Sequence, residues 1–240
     1  MMPAMSVEQI LVITAHPDDV DFGAAATVWG WTSAGTRVTY CVVTDGDNGG
    51  FDPDVPRQDI PGIRRAEQQA AAAEVGVDDV RFLGFPDGSV TVTMELRRAL
   101  TRVIRQVRPQ RVLTHSPERN WRNIYASHPD HLAVGEAAAC AVYPDARNPF
   151  QFPELLRDEG LTDHIVNELW LMGGPSPDRF VDVTDAYDKK LAALQHHASQ
   201  MTDPAGGAPA NLRDRMRSNA ERGGLPAGHL AEAFQVVLID

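Results

Sequence analysis

The chain has 240 residues, and 22 Lys and Arg against 33 Asp and Glu leave a formal charge of −11 at neutral pH. That balance gives no basic footprint for a phosphate backbone or an anionic membrane, so nucleic-acid binding by bulk charge is excluded. A hydrophobic content of 43% excludes a disordered acidic chain and suits one α/β domain over residues 1–240.

In chain order, the first segment has no basic leader, and no run approaches the ~18 consecutive apolar residues of a membrane span. A soluble, cytoplasmic protein without membrane insertion is expected. The β-branched run ILVIT between Gln9 and Ala15 predicts a strand buried on both faces of a parallel sheet. An Ala-rich helix over Phe22–Ser33, closed by Gly35, and a second strand over Arg37–Thr44 complete a βαβ unit. The pattern repeats with a loop at Asp45–Pro61, a helix at Gly62–Glu74, a strand at Val80–Gly84, a helix at Thr93–Val107 and a strand at Arg111–His115. SHPDH (Ser127–His131) opens another Ala-rich helix. Strands then follow at Glu168–Met172 and FVDVT, with a helix at Ala186–Gln200, a loop at Asp203–Asn211 and the charged segment RDRMRSNAERGG. This alternation predicts a Rossmann-like α/β fold: a mostly parallel sheet, helices on both faces, and the active site at the C-terminal ends of the strands. Cys41 and Cys140 lie in apolar runs without metal or disulfide spacing and read as small buried hydrophobes.

His16, Asp18 and Asp19 directly follow the first strand. Adjacent carboxylates repel unless water or a cation compensates them, although a solvated turn whose acids cap the next helix accounts for this motif equally well. His128 and His131, three apart, share a helix face, which alone suits a surface pair as readily as a ligand pair. Two such clusters at strand-to-helix transitions of one sheet point together to a metal ion. Two His and one carboxylate leave the open position of a catalytic zinc site, and that donor set also suits Fe(II).

AHPDDVDFGAAAT (Ala15–Thr27) together with SHPDH resembles the LmbE-like (PIG-L) family of GlcNAc-phosphatidylinositol de-N-acetylases, which includes the mycothiol- and bacillithiol-pathway deacetylases. RRAE (Arg64–Glu67), LGFPDG (Leu83–Gly88) and KKLAALQHHASQ (Lys189–Gln200) extend the resemblance from about Ile10 to Gln200. It implies a Zn2+-dependent hydrolase, with Fe2+ as the alternative, that removes an N-acetyl group from an N-acetylglucosamine-type small glycoconjugate. It implies His16, Asp19 and His131 as metal ligands, Asp18 as general base and His128 as acid or oxyanion stabiliser; chemically, a histidine there can act as imidazolium. Matching positions suggest Arg64 and Asp87 for sugar hydroxyls, a helix pair between Arg64 and Glu67 being the alternative. A homo-oligomer is a further implication. The chemistry agrees with these roles, because acetamide hydrolysis needs an activated water, a stabilised oxyanion and a proton for the leaving amine.

Where many members read DDE, Val20 follows here and the acid arrives as Asp21, which touches only the surroundings of the ligands. The loop Pro117–Ala126 matches no substrate-defining pattern and is expected to border the pocket, since it leads into His128. His115 is expected beside the ligands, His197 as a structural group, and His164, His196 and His229 at the surface. TDGDNGG (Thr44–Gly50) lacks the GxGxxG order and reads as a flexible rim loop. The alternatives are a metal-dependent amidase on a non-sugar N-acyl substrate, such as a thiol conjugate or antibiotic intermediate, and a non-catalytic sugar-binding relative. A nucleotide-binding domain is disfavoured by the missing glycine fingerprint.

Overall fold

Strand β1 (Gln9–Thr14) runs through the middle of a seven-stranded sheet, and its alternate side chains feed two cores. Leu11 and Ile13 face one layer, with Leu96, Leu100 and Ile104 of α4 (Met94–Val107) and Val134 and Ala138 of α5 (Pro129–Cys140). Ile10 and Val12 face the other, with Val28 of α2 (Ala25–Ser33), Ala71 and Ala72 of α3 (Ile60–Glu74) and Ala193 of α7 (Tyr187–Gln195). A strand buried on both faces has no polar side to show, which is why ILVIT does not alternate. The computed structural model describes residues 7–50, 52, 54–201 and 211–239; most of the loop expected at Asp203–Asn211 lies outside them.

The remaining strands are β2 (Arg37–Thr44), β3 (Asp79–Phe85), β4 (Arg111–His115), β5 (Glu168–Met172), β6 (Arg179–Asp182) and β7 (Ala231–Leu238), in the spatial order β3-β2-β1-β4-β5-β7-β6. Every neighbouring pair from β3 to β5 is parallel, whereas β7 runs antiparallel to both β5 and β6. The order reverses between β1 and β4, and the crevice at the carboxyl ends of those two strands is where such sheets gather ligands.

The expected strands recur, three of them with the same ends, at Arg37–Thr44, Arg111–His115 and Glu168–Met172. Three elements were not anticipated: α6 (Pro153–Glu159), α8 (Leu212–Arg222) and β7. The helix expected over Phe22–Ser33 is two helices, α1 (Asp19–Gly23) and α2, separated at Ala24 (φ −149°). A buried ion pair holds this break. Lys190 Nζ donates to the carbonyls of Asp21 (2.8 Å) and Phe22 (2.9 Å) at the end of α1, and it lies 2.6 Å from Glu232 Oε1. Glu232 in turn accepts from the N–H groups of Ala26 and Thr27 at the start of α2. A cation at a helix C-terminus and an anion at an N-terminus each match the local peptide dipoles. The helix expected over Ala186–Gln200 ends at Gln195, with a separate turn at Ala198–Gln200. Cys41 is buried, but Cys140 is partly exposed at the end of α5, its thiol 3.7 Å from Glu136 Oε1.

Candidate active site

The turn after β1 is pinned before it presents any chemistry. Thr44 of β2 donates from both N and Oγ1 to the Ala15 carbonyl, and the His16 N–H is closed onto Asp19 Oδ2 at 2.7 Å. Asp18 occupies the N-cap position of α1 with φ 93°, yet its side chain makes no cap bond. The helix-capping reading of these acids therefore fails. One carboxylate folds back on the turn, and the other faces Arg64 Nη2 at 3.2 Å.

Opposite this turn, α5 starts at Pro129 after the η-turn at Ile124–Ser127, and its first turn carries Asp130 and His131. The distances from His131 Nε2 are 2.9 Å to Asp19 Oδ1 and 3.3 Å to His16 Nδ1, and His16 Nδ1 lies 3.4 Å from Asp19 Oδ2. The outward ring nitrogens face acceptors: His16 Nε2 meets Asp87 Oδ1 (3.0 Å) and Asp130 Oδ2 (3.2 Å), and His131 Nδ1 meets the Ala126 carbonyl (3.4 Å). With protons on the outward nitrogens, two imidazole lone pairs and a carboxylate converge on one point. Tetrahedral bonds of ~2.0–2.1 Å set ligand atoms a little over 3 Å apart, and these three groups have that spacing. His16, Asp19 and His131 thus fit a metal ion, and Asp130 and Asp87 supply the carboxylate–histidine support that orients such ligands.

The electrostatics agree. Burial works to lower the His16 pKa, but Asp19, Asp130 and Asp87 raise it to about 12. His131 is raised in the same way, by Asp19 against burial. Burial pushes the Asp19 carboxyl up, yet His131, His115 and His16 hold it well below the usual carboxylate range. The cluster is a place that demands positive charge. Asp18, whose side chain is 17% exposed, is pushed up to about 7 by burial and by the charge of Asp19.

His115 stacks on His131 with centroids 4.1 Å apart. Its Nε2 lies 3.2 Å from both the Ala15 N–H and Asp19 Oδ2, so that nitrogen accepts from the first or donates to the second. His128 is the exposed N-cap of α5, its ring centroid 4.9 Å from that of His16. Its Nδ1 accepts the Asp130 N–H at 3.2 Å, which puts the remaining proton on Nε2. Burial and the His16 and His131 charges lower its pKa.

Arg64 and Asp87, expected to meet sugar hydroxyls, make contacts within the protein. Arg64 is buried, and its guanidinium reaches the carbonyls of Pro17 and Gly46 and the Asp18 carboxylate. Asp87 is turned to His16 and accepts the Asn48 N–H. Nor does Arg64 pair with Glu67, which accepts from Ser199 N and Oγ instead, both at 2.7 Å. In TDGDNGG, expected to make a flexible rim, Gly46 and Gly49 pack on Arg64, and a Cβ at Gly49 would lie 2.4 Å from its Nη1, whereas Gly50 faces open space. Sequence reasoning also missed Asp130, fully buried and accepting from the N–H groups of Gly88 and Val90, and Gln68, which accepts the Asp18 N–H.

Two surfaces flank the cluster. An open cleft of about 710 Å³ lies beside the ends of β2 and β3, lined by Asp45, Asp47, Arg57, Gln58, Phe85 and Pro86. Across the cluster, the Pro117–Ala126 loop is tied at its base by Asn120, which donates to the carbonyls of Gly173 and Gly174, while Trp121 (79% exposed) and Tyr125 (89% exposed) project from it. Of the remaining histidines, His196 is exposed, while His164 and His229 are partly covered, against the Pro109 carbonyl and Asp182.

A family model described as PIG-L, GlcNAc-PI de-N-acetylase, matches residues 11–142, the span that holds both halves of this cluster. The chain belongs to the PIG-L family. Among its PIG-L relatives, a diacetylchitobiose deacetylase of Thermococcus kodakarensis is 33% identical, over 84% of this chain and 73% of its own length. A probable N-acetyl-α-D-glucosaminyl L-malate deacetylase 2 of Bacillus cereus is 32% identical, over 80% and 83%. The crystal structure of N,N'-diacetylchitobiose deacetylase from Pyrococcus horikoshii, complexed with its inhibitor MPG, superposes with a TM-score of 0.88 at 28% identity. It covers 97% of this chain and 85% of that one. A hydratase of Pseudomonas putida shares the PIG-L fold at a TM-score of 0.76 and 21% identity. Among the described residues, no helix is long and apolar enough to cross a membrane.

Proposed function

We propose that this chain is a Zn2+-dependent N-deacetylase that hydrolyses the acetamide of an N-acetylglucosamine-type small glycoconjugate. The observation that carries the reading is the convergence of His16 Nδ1, His131 Nε2 and the Asp19 carboxylate beside the half-covered Asp18. A divalent ion in that cradle supplies Lewis acidity toward the acetamide carbonyl and the attacking water.

The protein's own groups do the rest. Asp18 takes the proton of the attacking water. Next to the ligand Asp19 and held by Arg64 Nη2 at 3.2 Å, its carboxylate can also return the proton to the departing amine. His128 directs Nε2–H to the oxyanion of the tetrahedral intermediate. Asp130 and Asp87 hold the His16 ring, and the His115 face holds that of His131. The cleft beside Asp87 and the loop of Trp121 and Tyr125 give room on either side for the rest of the glycoconjugate.

The test is amine release from N,N'-diacetylchitobiose and from N-acetylglucosaminyl malate, with metal content measured on the same preparations. Asp18→Ala is expected to keep its metal and lose at least about 100-fold in kcat, and His131→Ala to lose metal and activity together. Wild-type turnover by Asp18→Ala would remove the base from the mechanism.

A further inference from the structure

We infer that Gln68 is the positioning residue of Asp18, and that the buried Asp21–His197 pair sets the direction of the Gln68 amide. The inference rests on the reading of Asp18 as the base. It begins from the backbone: at φ 93° and ψ −25°, Asp18 sits where a residue with a Cβ is strained by about 1–3 kcal/mol. A residue relaxing from there into the ordinary N-cap geometry turns its carboxylate onto the free N–H groups of its own helix, here α1, and away from the reacting site. Something must hold the turn.

Gln68, fully buried on α3, accepts the Asp18 N–H at 2.8 Å through Oε1 and donates through Nε2 to Asp21 Oδ2 at 2.9 Å. A carboxylate oxygen only accepts, so the amide nitrogen must face Asp21 and the amide oxygen must face Asp18. His197 Nε2 lies 2.8 Å from the same Asp21 oxygen, and both side chains are fully buried. One turn earlier on α3, Arg64 reaches Pro17 O and Asp18 Oδ2. On the same helix Glu67 ties down Ser199, two residues after His197. Three separated motifs, AHPDD, RRAE and QHHASQ, therefore meet at one turn, and what they fix there is the conformation of Asp18.

Gln68→Leu removes both hydrogen bonds at similar volume. On N,N'-diacetylchitobiose it is expected to lower kcat by about 10- to 100-fold, the scale of a misplaced catalytic group, with KM and bound metal unchanged. Gln68→Glu alone sets two carboxylates against each other. Combined with Asp21→Asn, it exchanges donor and acceptor between positions 68 and 21, keeps the net charge and leaves an oxygen under the Asp18 N–H. His197 meets the exchanged group with its other tautomer. The double variant is expected to recover most of the wild-type kcat that Gln68→Glu loses. Wild-type kcat in Gln68→Leu overturns the inference, as does a parallel loss of kcat, KM and metal, or a double variant no better than Gln68→Glu. If Gln68→Leu does not fold, the single-against-double comparison decides. Asp18→Ala is run alongside: full turnover there defeats the base reading itself, whereas an inactive Asp18→Ala beside a fully active Gln68→Leu defeats only the positioning role.

Discussion

Gly135 lies four residues after His131 on α5, at the point where that helix touches the end of β4. A Cβ built there would stand 2.4 Å from the His115 carbonyl oxygen and 3.0 Å from Pro117 N, both backbone atoms. Real Cβ contacts essentially never fall below 3.0 Å, so Gly135→Ala must drive α5 away from β4 by at least 3.0 − 2.4 = 0.6 Å. Residues four apart share a helix face, so His131 moves with it, while His16 and Asp19 stay with β1. Metal–ligand distances tolerate only about 0.2 Å. Overpacking costs about 1–3 kcal/mol, and replacing glycine within a helix returns about 1 kcal/mol, which leaves a net loss of about 0–2 kcal/mol. Folding should thus be little changed while metal affinity falls by about 10- to 100-fold, the range seen when support around a ligand is disturbed. Competition against a chromogenic chelator reads the affinity, amine release the kcat/KM, and thermal melting the stability. Unchanged affinity and kcat/KM would show that the close approach of α5 to β4 does not set the ligand geometry.

Lys190→Met leaves Glu232 buried without its cation and two carbonyls of α1 without their donor. A loss of about 3–5 kcal/mol follows, visible as a shift in urea midpoint, and a shift under 1 kcal/mol would contradict it. The His197–Asp21 contact carries a pH signature. Burial works to lower the His197 pKa, but the Asp21 bond and charge leave it raised above 6.5. The protonated form is therefore the one that folding favours, so its stabilisation is complete below about pH 6.5 and fades as pH rises through the folded value. The stability gap between wild type and His197→Phe should accordingly shrink from about pH 6.5 upward; a gap that widens with pH would reverse the assignment.

Much of this molecule is legible in its sequence for a local reason. β2, β4 and β5 are short segments of mostly buried residues rich in Val, Leu and other strand formers, and the ligand motifs lie at strand ends, where the sheet order places its crevice. The illegible parts depend on distant partners. Gly23 is the one local hint of the helix break at Ala24, because Lys190 and Glu232, which hold it, come from elsewhere in the chain. β7 was not anticipated because its alternation blurs toward the exposed Val237 and Leu238. Gln68 stands beside Gln69 with nothing local to separate them. The available signal was the buried face Arg64, Gln68, Ala71, Ala72, two polar groups on an otherwise small apolar stripe, which asks what they bind.

The antiparallel strand β7 has a consequence for the order in which the molecule can be assembled. It sits between β5 and β6, so β6 has no neighbour in the sheet until Ala231–Leu238 arrives. The same strand delivers Glu232 to the start of α2, 205 positions upstream of it at Thr27. As the chain leaves the ribosome, the AHPDD turn waits, its supporting helices unbraced, until Glu232 has followed. A ribosome stalled before residue 231 would hold every proposed metal ligand and still lack the ion pair that fixes the helices behind them.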